Sequence, residues 1–151
     1  MANPFPFTAG QVLTAAQLNG IGEYVDYTPT YTNFTLGNGT VTARYARVQD
    51  IVVFYVRVVL GSTSSVTGQI QVSLPVTSSS NLTRQSSMVN FLDAGTANFT
   101  GVATWLSTTT VALNAILASG TYASATTTSS TIPFTWTTSD EFEFTFVYEA
   151  A

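Results

Sequence analysis

The 151-residue chain contains no cysteine, no histidine and no lysine. Without cysteine there is neither a disulfide framework nor a thiolate metal site. Without histidine the usual general base, the commonest metal ligand and the neutral-pH switch are gone. Without lysine there is no P-loop cation and no Schiff-base chemistry. The many serine and threonine hydroxyls then have no conventional base to activate them. Arg44, Arg47, Arg57 and Arg84 are the only cations, and the formal net charge is −4. That set builds no basic patch, so nucleic acid is not expected as a partner.

Charge of either sign is scarce, at 8% of residues, against roughly 25% in ordinary soluble domains. Hydrophobic residues nevertheless reach 45%, which separates the chain from disordered proteins. Threonine, serine and asparagine stand where charge would be, and threonine favours strands. The length suits one domain with a real core. No apolar run reaches the roughly 18 residues of a membrane span, so no membrane partner is expected. Residues 1–7 carry no cation and no apolar stretch of signal-peptide length, so synthesis in a cytoplasm is expected. The N-x-T triplets at Asn33, Asn38, Asn81 and Asn98 are read as chance in a chain so rich in these residues.

The first 26 residues differ from the rest, and the division expected is an arm over 1–26 and a β-domain over 27–151. Pro4 and Pro6 forbid helix and favour extended backbone around them. Thr14 and Gln17 have the spacing of a capping box, and Leu13 and Leu18 that of a hydrophobic staple. They predict a helix of about two turns from Ala15, weakening at Gly20 and Gly22. A helix that short needs a surface to pack on: its own domain, a sister subunit or another protein.

From Tyr27 the hydrophobic period becomes two, the signature of strands. Val41, Ala43 and Tyr45 alternate with Thr40, Thr42 and Arg44. Residues 51–60 are nearly all apolar and read as a central strand covered on both faces. Residues 69–74, 88–92, 98–106 and 110–117 are further candidates. Phe142, Phe144, Phe146 and Tyr148 alternate with Glu141, Glu143 and Thr145. Turn clusters such as Gly37-Asn38-Gly39 separate these runs. About eight strands at short spacing predict an all-β antiparallel sandwich or jelly roll.

Three separate stretches resemble one family. Phe7-Thr-Ala-Gly-Gln-Val-Leu-Thr-Ala-Ala-Gln-Leu-Asn19 is similar to a segment opening many tail and accessory structural proteins of tailed bacteriophages. Residues 31–75 resemble a phage β-domain, with the markers Thr28-Pro-Thr-Tyr31, Gly37-Asn-Gly39, Ala43-Arg-Tyr-Ala-Arg47, Gly61-Ser-Thr63 and Ser73-Leu-Pro75. Pro133-Phe-Thr-Trp-Thr-Thr-Ser-Asp140 and Tyr148-Glu-Ala-Ala151 resemble its close. Gln49-Asp50 departs from the family's Gly-Lys-like turn. The resemblance implies a virion protein made in a host bacterial cytoplasm, with a jelly-roll-like domain and a homotrimeric state. Its implied partners are other virion proteins, either major capsid or tail.

Several residue groups are candidates for a site. Phe5, Phe7, Val12, Leu13 and Leu18 are apolar groups on a segment too short to make its own core, and are assigned to virion attachment. Tyr24, Tyr27, Tyr31, Trp105 and Trp136 are candidate glycan-stacking or interface aromatics, although for the two tryptophans core packing is the default reading. Glu141 and Glu143 have the spacing of a glycosidase pair, but two glutamates on one polar strand face read more simply as solvated. Asp140, Glu141 and Glu143 could offer calcium oxygens, or form a charged edge that discourages strand pairing. Arg44, Arg47 and Arg57 could gather into an anion site, or pair with acids. The expectation is a non-enzymatic virion structural protein, a decoration, head-fibre or small tail-appendage subunit, without catalytic residues, metal or cofactor. The alternative is an adhesin for a host surface glycan.

Overall fold

Alternation of buried and exposed side chains dictates the architecture. In the computed structural model, which describes residues 9–12, 14–82, 84–118 and 121–151, one short helix precedes ten strands. The helix α1 spans Ala15–Asn19, and the strands are β1 Val25–Asp26, β2 Tyr31–Thr35, β3 Thr40–Val48, β4 Ile51–Val59, β5 Ser65–Ser73, β6 Ser86–Asp93, β7 Ala97–Ser107, β8 Thr110–Leu117, β9 Ser124–Thr127 and β10 Glu141–Glu149. All pairings are antiparallel. The strand order is β1-β3-β4-β10-β6-β7-β8-β5-β2, with β9 beside β8. This single sheet curls on itself into a jelly-roll-like sandwich, the expected all-β class.

The inner face is aromatic and aliphatic. Phe142, Phe144, Phe146 and Tyr148 of β10 are buried, as are Val52, Phe54, Val56 and Val58 of β4. Ile70 and Val72 of β5, Val89 and Phe91 of β6, and Val111 and Leu113 of β8 complete the same core cluster. Phe34 of β2 meets Phe142 of β10 edge-on, so the last strand of the order has folded over the middle of the sheet. The turns tie the curl. Asn38 Oδ1 accepts from the Thr63 amide and hydroxyl, each at 2.9 Å, joining the β2–β3 turn to the β4–β5 turn. Gly37 has φ +56°, and a Cβ there would lie 2.4 Å from Thr63 Oγ1, so only glycine fits.

Two expectations need correction. Residues 51–60 are not covered on both faces: β4 is central, between β3 and β10, yet Ile51 and Arg57 are exposed. The apolar odd positions lie on an outer face. The helix is also shorter than two turns, ending at Asn19. The Thr14–Gln17 capping box is present: the Gln17 amide donates to Thr14 Oγ1 at 3.2 Å, and the Thr14 amide to Gln17 Oε1 at 3.0 Å. Leu13 of the staple lies outside the described residues. Val25 and Asp26 pair with Tyr45 and Arg44 on the β3 edge, so the last residues of the 1–26 segment are joined to the sheet.

Candidate functional site

Two places on the described surface gather candidate functional side chains. The first is the segment before β1. Val12 is 86% exposed and Leu18 is 50% exposed. Neither apolar group is covered by the domain, and a five-residue helix has little stability of its own. The chain returns to the sheet at Gly22, whose position abuts the Val48 side chain, and at Tyr24. Phe5, Phe7 and Leu13, the other three attachment candidates, lie outside the described residues.

The second place is the outer face of β3, β4, β10, β6 and β7. Arg57 Nε donates to Glu141 Oε2 at 2.8 Å and its Nη2 to Oε1 at 2.9 Å, a two-pronged pair. Arg57 Nε lies 4.0 Å from Glu143 Oε2, which accepts from the Tyr55 hydroxyl at 3.2 Å. The Glu141 hydrogen bond and charge hold the Arg57 guanidinium above its usual value. Partial burial, with the Glu143 charge next, raises the Tyr55 phenol. Arg44 lies over the Tyr24 ring at 5.0 Å from its centroid and 5.8 Å from that of Tyr55, a cation–π arrangement. Beside these groups a depression of about 370 Å³ is bordered by Tyr55, Met88, Asn90, Thr100, Glu143 and Thr145.

The remaining candidates separate rather than converge. Tyr27 packs edge-on against Tyr45 and Phe54, and Tyr31 against Phe34. Both hydroxyls are buried and unpartnered among the described residues, and burial raises both phenols. Trp136 packs on Phe91 and Phe134 and donates to the Ser129 carbonyl at 2.9 Å. Trp105 packs on the core and donates to Ser78 Oγ at 2.8 Å. These four rings are partly buried and packed against the core. Tyr24 is the exposed member of that group, with Arg44 over it.

The arginines take separate partners. Arg47 Nε donates to the Gln49 carbonyl at 2.6 Å, whereas Arg44 and Arg57 are committed as described. The three acids also part. Asp140 is fully buried; it accepts from the Ala94 amide at 3.0 Å and from the Thr137 amide and hydroxyl. Glu141 and Glu143 face outward, on a strand face and not across a cleft.

Sequence reasoning passed over Tyr55, Asn90 and Thr100. The signal was there: Glu143 sits opposite Asn90, which sits opposite Thr100. Without the strand order, that row could not be assembled. No protein-family model matches the chain, and neither a curated protein nor a solved structure matches it significantly.

Proposed function

We propose that this chain is a non-enzymatic structural subunit of a bacteriophage virion, trimeric, held to the particle by its N-terminal segment with the β-domain facing outward. The observation that carries the reading is the exposure of Val12 and Leu18 on a capped but very short helix. Burying a large apolar side chain is worth roughly 1.5–3 kcal/mol, so each group left in water is a binding increment waiting for a surface. Three arms on one trimer add through effective concentration, which turns weak single contacts into firm attachment. The near absence of charge suits a role in which the surface meets other protein rather than a charged polymer. Partners on this reading are major capsid or tail proteins, and the site of residence is the virion.

Antibody labelling of purified particles of the parent virus tests the reading. Label on the particle at regular positions supports it. Label found in the lysed host but absent from purified particles overturns it.

A further inference from the structure

We propose that the depression between β4, β10, β6 and β7 binds a neutral sugar ring. Its origin lies in strand pairing. β10 and β6 pair from Glu141 opposite Leu92 to Phe144 opposite Val89, and then the ladder stops. Beyond that point Ser87 Oγ donates to the Thr145 carbonyl and Gln85 Nε2 to the Val147 carbonyl. Side chains have replaced the backbone ladder, the two strands part, and the outer face opens into a hollow of about 370 Å³. That volume is at the lower end of small-molecule sites.

The lining has the chemistry of a polyol site. Glu143, Asn90 and Thr100 stand in a row across three adjacent strands, at about 4.8 Å per step. Asn90, Thr100 and Thr145 make no side-chain hydrogen bond among the described residues, so an amide, two hydroxyls and their lone pairs are unspent. Glu143 Oε2 takes the Tyr55 hydroxyl at 3.2 Å, and the rest of the carboxylate is free to accept from neighbouring hydroxyls of a ligand. The Tyr55 ring and Met88, 67% exposed, supply an apolar wall for the C–H face of a pyranose.

Neutrality follows from charge. No arginine lines the depression: Arg57 is engaged two-pronged by Glu141, Arg44 lies over the Tyr24 and Tyr55 rings, and Glu143, in the lining, repels carboxylate and phosphate groups. This inference stands apart from the virion reading, because none of these residues belongs to the N-terminal segment.

The test is an amide NMR titration of the full chain with the methyl glycosides of glucose, galactose, mannose and N-acetylglucosamine. Glucuronic acid and N-acetylneuraminic acid serve as charged comparators. At least one neutral glycoside is expected to shift the amides of Asn90, Thr100 and Glu143 saturably, with millimolar affinity. The double variant Asn90→Ala, Thr100→Val, at outward positions that leave the core intact, is expected to weaken that binding about tenfold or more. The proposal is overturned if no neutral glycoside shifts these amides, if the acidic sugars bind as well, or if the double variant binds unchanged. A variant altered at Val12 and Leu18 should bind the sugar as the unaltered chain does, which separates this result from the fate of the virion reading.

Discussion

The Phe34 ring meets that of Phe142 edge-on, with centroids 5.4 Å apart and planes at 81°. β2 ends the strand order and β10 lies in the middle of it, so this contact folds the edge strand over the centre of the sheet. Phe142 is fully buried and Phe34 nearly so. Phe142→Ala is expected to cost about 3–5 kcal/mol in urea unfolding, through lost transfer energy and a cavity. Combined with Phe34→Ala, the loss should fall short of the sum by about 0.5–1.5 kcal/mol, the pair's own coupling. Strict additivity would show that β2 does not pack on β10 in this way.

Asp140 is buried and structural. Its carboxylate takes the Ala94 amide on one oxygen and Thr137 on the other, closing the turn before β10 against the β6–β7 hairpin. Asp140→Ala strands those donors and should cost about 2–3 kcal/mol. Glu143→Gln, on the solvated face, should shift the unfolding midpoint by far less. Equal losses in the two variants would contradict this division of roles.

Three tyrosines set the alkaline limit of stability. Burial pushes Tyr148 up to about 12 and raises Tyr27 and Tyr31 as well. An unfolded tyrosine loses its proton near 10, so above that pH the unfolded chain binds fewer protons than the folded one. Stability is therefore complete below about pH 10 and is lost as pH rises towards 12. Tyr27→Phe and Tyr31→Phe remove hydroxyls with no partner among the described residues and should leave stability at neutral pH unchanged or improved. Tyr148→Phe removes the bonds to Val76, at 2.7 Å to its carbonyl and 3.1 Å from its amide, and should cost about 1 kcal/mol. Thermal midpoints recorded between pH 7 and 11 read all three.

Gly101 is required for space. A Cβ there would stand 2.3 Å from both the Asn114 carbonyl oxygen and the Phe91 ring. Since that oxygen is backbone, Gly101→Ala should destabilise by about 1–3 kcal/mol. A neutral result would mean that β7 can move away from β8.

The strands with clean alternation were legible from sequence. Glu141–Glu149 puts four aromatics inward and its acids outward, as period two requires. The run Ile51–Val59 misled because its outer face is apolar without being covered; composition cannot tell a covered valine from one beside the turn of a curled sheet. β1 and β9 are two and four residues long, too short for periodicity to speak. The aromatic candidates illustrate the same boundary. Trp105 and Trp136 sit in strand-like runs, but only the curl shows that both pack, partly buried, against the core and that Tyr55 is the ring beside the open hollow. The row of Glu143, Asn90 and Thr100 spans residues far apart in the chain and exists only through strand order.

Val12 and Leu18 carry the proposed attachment through the N-terminal segment. Val12 and Leu18 are exposed, so Val12→Asp with Leu18→Asp should leave the unfolding free energy within about 0.5 kcal/mol of the original. Sedimentation of this double variant with virus particles lacking the native chain is the most direct measurement. The unaltered chain is expected to pellet with the particles and the variant to remain in the supernatant while fully folded. Equal binding of the two would contradict this attachment.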